Sequence, residues 1–217
     1  MFIGHFACAF AAKRAAPRPS LATFFVAAQL PDVLWPVFLL LGWERVAIAP
    51  GDTAFTPARF EHYPLSHSLL AVLLWAGLSA ALYNRWRGDG RGAFVVGALV
   101  LSHWLLDFVT HRPDLPLVPT GARLAGLGLW NSVAGTLLVE GTLWAVGLWL
   151  YARATRAADA VGRYAFAALA AVLSVLYLGN AFGPPPPSWR AVAAAGVAAS
   201  LLMTVWAHWI DRHRSPA

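Results

Sequence analysis

The chain has little cysteine and little charge. Its 217 residues include one cysteine, Cys8, which rules out an internal disulfide and a Cys-rich zinc site and leaves Cys8 as a small apolar packer. Charged residues make up 12% of the chain, against roughly a quarter in an average soluble domain, while 59% of residues are hydrophobic. Water is therefore not its main solvent. The formal net charge of +6 could suggest nucleic acid, but no Lys/Arg stripe interleaves with exposed aromatics, so a nucleic-acid partner is not expected. A cleaved signal is not expected either. The apolar run Phe2 to Ala12 is interrupted by His5 and is followed, not preceded, by Lys13 and Arg14.

What the chain does have is apolar length. Besides the short helical segment from Phe2 to Ala12, spans are expected near 21–43, 65–84, 92–109, 128–151, 163–182 and 190–210. At about 1.5 Å per residue each can cross a hydrocarbon core of about 30 Å. The expected fold is an all-α polytopic transmembrane bundle of about six spans, a single membrane domain over 1–217. In it, 1–145 would form a polar-motif core and 146–217 would add further transmembrane helices. Pro31 and Pro36 break the first span around Asp32, and the freed backbone groups there need protein or water partners, which predicts a cavity. Pro184 to Pro187 reads as a stiff extended connection. Trp43, Trp86, Trp130 and Trp189 lie near span ends and read as interface anchors.

Lys and Arg divide unequally between the loops. Lys13, Arg14, Arg18, Arg85, Arg87, Arg91, Arg153, Arg156, Arg163, Arg212 and Arg214 fall on one face, whereas Arg45, Arg59, Arg112, Arg123 and Arg190 fall on the other. The positive-inside bias puts the first face in the cytoplasm and loops 44–64 and 110–127 outside it.

The sharpest motif is the run Ser102-His103-Trp104-Leu105-Leu106-Asp107, with His111 four residues on. His103 and Asp107 are i and i+4 and share a helix face, and His111 extends that face if the helix persists one more turn. Imidazole and carboxylate in this register suit Zn²⁺ first, with Mn²⁺ or Fe²⁺ as alternatives. Capping of a helix end is the competing reading. His62-Tyr63-Pro64-Leu65-Ser66-His67-Ser68 approaches the second span from the same side. There Pro64 fixes the chain, Ser66 or Ser68 can cap, and His67 falls in the first turn. His5, Asp32 and Glu140 sit where lipid penalises charge by about 2.5 to 3.5 kcal/mol. No Lys or Arg lies within the spans to pair the carboxylates, so a shared cation or protonation must neutralise them. His208 and His213 lie with Asp211, Arg212 and Arg214 at the opposite end and are left out of the site.

Together Met1-Phe2-Ile3-Gly4-His5, Leu30-Pro31-Asp32, Ser66-His67-Ser68, Ser102-His103-x-x-x-Asp107 and Glu140 resemble a bacterial and archaeal inner-membrane family described as membrane-bound metal-dependent hydrolases. The resemblance covers roughly residues 1–145. The ligand order is also similar, more loosely, to zinc-dependent phospholipase C enzymes. Here, however, Thr136 stands where those enzymes carry a His four residues before the late Glu, which implies one or two metals and not three. The resemblance implies a metallohydrolase and leaves the substrate open. His5, Asp32, His67, His103 and Asp107 are expected to bind the metal and activate water, and a site opening at the outer headgroup level would suit an amphiphilic or phosphorylated small substrate. Glu140 would be a further ligand or base, and His111 or His62 the general acid. The expected location is the inner membrane, with the site towards the extracytoplasmic side. A metal or proton transporter, and a non-catalytic membrane protein with a structural metal, are the alternatives.

Overall fold

Each apolar run forms a helix, because in a bilayer a helix is the open-chain element that satisfies all its own backbone hydrogen bonds. In a computed structural model, which describes residues 1–120 and 123–217, the helices are α1 (Ile3–Ala15), α2 (Leu21–Ala28), α3 (Leu30–Leu40), α4 (Pro64–His67), α5 (Leu69–Arg87), α6 (Gly90–Thr110), α7 (Val133–Ala154), α8 (Ala160–Phe182) and α9 (Trp189–Arg212). The helices α5 to α9 are each long and apolar enough to cross a membrane, and α2 with α3 forms a sixth, broken span bent by 57°. The chain is thus an all-α polytopic membrane bundle. Large apolar side chains such as Trp86, Phe94, Leu138 and Leu201 stand exposed around it, an aggregation hazard in water but the expected face towards lipid.

The helix ends follow local chemistry. Ser68, Ser132 and Ser188 accept from backbone N–H groups three residues on and so cap α5, α7 and α9, and Asp89 and Asp159 do the same for α6 and α8. Gly88 closes α5 at φ +61°, a left-handed conformation that costs glycine nothing.

The helix α1 is the hub. Its 13 residues span only about 20 Å, too short to cross, and residues on all its sides are buried, as expected of a helix enclosed by others. It packs against α7, α2 and α6. The closest approach is at Gly147, where an added Cβ would lie 2.5 Å from the Ala7 carbonyl oxygen, so only glycine allows the two backbones to meet.

Among the described residues three two-stranded ribbons, which the apolar pattern does not announce, join the ends: β1 (Arg45–Ile48) with β2 (Ala58–His62), β3 (Leu115–Pro116) with β4 (Leu124–Ala125), and β5 (Thr155–Ala157) with β6 (Arg214–Pro216). The first two and the turn Leu129–Asn131 lie at the end of the bundle where α1 begins, hereafter the upper end. The third ribbon closes the lower end. Trp130 does not anchor at the interface as the sequence suggests. It is buried beneath the upper loops, its ring centroid 4.4 Å from that of His111.

Candidate metal centre

Pro31 sets up the site. It lacks a backbone N–H and sits in the first turn of α3, so the helical ladder breaks at Gln29 and the span bends. The bend has two consequences. Asp32 lands in the first turn of α3, where the helix dipole favours an anion. The carbonyl of Ala28 is left over at the end of α2, and it accepts a hydrogen bond from His103 Nδ1 at 2.8 Å.

The structure brings His5, Asp32, His67, His103 and Asp107 together from α1, α3, α4 and α6. His5, His67, His103 and Asp107 are almost fully buried, while the Asp32 side chain is 39% exposed. His5 Nε2 lies 3.1 Å from Asp107 Oδ1, and His103 Nε2 lies 3.1 Å from Asp107 Oδ2. His67 Nε2 is 3.4 Å from Asp32 Oδ1 and 3.7 Å from Asp107 Oδ2; His103 Nε2 is 3.8 Å from Asp32 Oδ1. Four donors placed tetrahedrally at 2.0–2.2 Å from one zinc are about 3.3–3.6 Å apart. Two triads, His5–His103–Asp107 and Asp32–His67–His103, therefore have the spacing of metal ligands, and they share His103.

Hydrogen bonding fixes which nitrogen faces the acids. A backbone carbonyl can only accept, so His103 carries its proton on Nδ1. Ser66 Oγ donates to Glu44 Oε2 at 2.6 Å, so it accepts from His67 Nδ1 at 2.7 Å. In both neutral rings the Nε2 lone pair therefore points at carboxylate oxygens. That arrangement is repulsive unless a cation or a second proton lies between. His103 Nε2 is buried and, despite its proximity to Asp107, makes no aligned hydrogen bond. Second protons on both His5 and His103 at once are disfavoured by their stacking, with centroids 3.7 Å apart and planes 5° from parallel. Two positive charges at that separation repel by about 4 kcal/mol at an effective dielectric of 20. The donor set and the carbonyl and hydroxyl partners behind it thus fit a divalent metal held by His and Asp.

Asp107 also receives the Met1 amino group, a cation that is neither Lys nor Arg and so leaves no mark in the sequence of the spans. Glu140 is buried on α7, and its Oε2 accepts from the Phe2 and Gly4 N–H groups at 2.8 and 3.2 Å, holding the start of α1. His111 does not extend the His103–Asp107 face. The helix α6 ends at Thr110, and His111 Nδ1 turns to Asp114 Oδ1 at 3.0 Å, with Tyr63 Oη donating to the same oxygen at 2.9 Å. Burial pushes the His111 imidazole below its usual range, with Asp114 opposing. Burial would raise Asp114, but hydrogen bonds from His111, Tyr63 and Arg112 outweigh it and hold the carboxyl below the ordinary range. His62 is exposed at the end of β2, apart from the five-residue cluster.

The sequence reading passes over Glu44. It is 2% exposed and accepts from the Leu65 and Ser66 N–H groups at 2.8 and 2.9 Å as well as from Ser66 Oγ, so one carboxylate caps α4 and aims His67. In sequence it sits beside Trp43 and Arg45 beyond a span end and looks like an interfacial charge.

The predicted cavity is present, at about 610 Å³. Asp32, His67, Asp107 and His111 line one part of it, beneath Phe60 and Trp130. No curated protein and no solved structure matches the chain. A family model does, that of the YdjM inner membrane protein, over residues 1–184, well past the 1–145 over which the motifs run. An inner-membrane, multi-pass chain with these helices and that match belongs to the YdjM inner membrane protein family.

Proposed function

We propose that the chain is a membrane-embedded metal-dependent hydrolase acting on a phosphoester or ester of an amphiphilic substrate, with its site on the extracytoplasmic side. The observation that carries this reading is the pair of imidazoles, His67 and His103, each tied at Nδ1 so that its Nε2 faces the Asp32 and Asp107 carboxylates. His5, Asp32, His67, His103 and Asp107 would hold one or two Zn²⁺-like ions, Mn²⁺ and Fe²⁺ being suited to the same donors. A bound divalent cation of this kind lowers the pKa of water towards 7 and polarises a phosphoryl or carbonyl oxygen.

The chain's own groups do the rest. Asp32 is the most exposed of the five and lines the cavity, which suits it to orient the attacking water. His111 also lines the cavity, and with its Nδ1 held by Asp114 and Tyr63 its Nε2 can take a proton from the attacking water and pass it to a leaving group. Glu140 keeps α1, and so His5, in place by holding the Phe2 and Gly4 amides. Phe60 and Trp130 cover this end of the cavity and limit bulk water.

The test combines metal content with hydrolysis. Purified wild-type chain is expected to retain one or two equivalents of zinc and to cleave a bis-p-nitrophenyl phosphate or p-nitrophenyl phosphate probe, with Asp107→Ala losing both. Full hydrolysis by metal-free Asp107→Ala would contradict the proposal.

A further inference from the structure

The hydrolytic reading uses only the polar part of the cavity. The remainder extends away from Asp32, His67 and Asp107 between α3, α8 and α9. Its walls include Val33 and Trp35 on α3, Leu173 and Leu176 on α8, and Met203 on α9. Ala195, Gly196 and Ala199 supply only hydrogen or methyl groups towards it, which keeps the space open. Two hydroxyls on the wall are already spent: Ser200 Oγ donates to the Gly196 carbonyl at 2.8 Å and Thr204 Oγ1 to the Ser200 carbonyl at 2.7 Å. The groove therefore has one end rich in acid and imidazole and a long side poor in free polar groups.

The groove also opens sideways. Leu176, Asn180, Ala195 and Ala199 both line it and are exposed on the flank of the bundle. The helices α8 and α9 are tied at the lower end, where Trp206 Nε1 donates to the Ala165 carbonyl at 3.1 Å and β5 pairs with β6. At the upper end the Pro184–Pro187 connection joins them covalently. Between these ties the gap faces what would be hydrocarbon in a membrane.

We propose that this groove takes one hydrocarbon chain of an anionic phosphate lipid, drawn laterally from the surrounding leaflet between α8 and α9, with the headgroup at Asp32, His67 and Asp107. The assignment of the headgroup end rests on the metal-site reading above; the tail site does not. The polarity of the groove matches an amphiphile along its length, and a soluble phosphoester would leave the apolar side without a partner. The helix α9 lies beyond the residues 1–184 matched by the family model, so the wall that admits the tail is built on an element outside that match.

The test uses the full chain, zinc-loaded and reconstituted in phosphatidylcholine vesicles doped with hexadecyl phosphate carrying a photoactivatable diazirine at its tail. After irradiation, labels are expected at Leu176, Ala195, Ala199 and Met203 in excess over the lipid-facing Leu201, Leu202 and Val205. Ala199→Trp, and the milder Ala195→Leu should the first fail to fold, are expected to cut groove labelling at least about tenfold. Leu202→Trp should leave it unchanged, and zinc content should be the same in all of these variants. Even labelling of every lipid-facing helix would overturn the proposal, as would groove labelling indifferent to both groove substitutions or crosslinks to a second copy of the chain. Zinc bound with even labelling removes the tail site alone. Groove labelling in a wild-type chain that binds no zinc removes the metal reading alone.

Discussion

The two ends of the bundle handle buried charge in opposite ways. At the lower end every charge near the core has a protein partner: Lys13 Nζ reaches Asp211 at 3.3 Å and the Pro19 carbonyl at 2.9 Å, Asp211 also accepts the Leu21 N–H at 2.6 Å, and Arg214 donates to Thr155 and the Gly162 carbonyl. At the upper end two carboxylates face three imidazoles, two of which, His67 and His103, have their outward nitrogens already committed, and among the described residues the Met1 amino group is the one formal cation in the cluster. The lower end is complete as folded and reads as structure. The upper end has the organisation of a ligand set, in which side chains are held by partners behind them and aimed at one another's acceptors.

On this contrast, upper-end substitutions should act on metal and lower-end ones on stability alone. The largest effect is expected from Asp107→Ala, which removes a member of one triad and the carboxylate that approaches all three histidines: zinc affinity should fall by more than about 100-fold, measured by chelator competition. Next is Glu44→Ala. It touches no proposed ligand except through Ser66, yet it should weaken zinc binding about 10- to 100-fold, and Glu44→Gln, which keeps an acceptor, should recover part of that. A purely structural role would lower thermal stability without moving zinc affinity. Gly147→Val should destabilise the bundle by about 1–3 kcal/mol through overpacking against Ala7, and it would blur the contrast only if zinc were lost in chains that remain folded. Lys13→Met should cost about 1–3 kcal/mol, the penalty of a broken charged hydrogen bond, and leave zinc binding untouched. The smallest effect concerns Asp114. Its folded pKa lies below the unfolded value of about 3.9, so its contribution is fully present above that pH and fades as pH falls towards the folded value. Asp114→Asn should remove this acid-side loss from a denaturation series.

Which parts of this could be read in advance follows from the range of the interactions. Spans are set by local length, and the six apolar runs appear within a few residues of their expected bounds, including the break at Pro31. His103 and Asp107 are visible because a helix puts i and i+4 on one face. That Asp32 and His67 join them follows from the cost of burying charge, a global argument that gives convergence but no partners. Glu44 is silent in the sequence because its role depends on a contact about twenty residues away across a ribbon, with no periodicity to reveal it. The Ala28 carbonyl is equally silent because backbone leaves no mark in composition. His111 turned away because α6 stopped at Thr110 to meet Asp114, a choice made by tertiary contacts. The position of α1 at the centre was equally hidden, since a 13-residue apolar run looks the same at a bundle's edge as at its heart.

The most direct test of the account is anomalous scattering at the zinc edge from a crystal of the zinc-loaded chain. The account predicts one or two peaks between His103 Nε2, Asp107 and the neighbouring His5, His67 and Asp32, at about 2.0–2.2 Å from the coordinating atoms. An ordered upper end with all five side chains in place and no peak among them would contradict it.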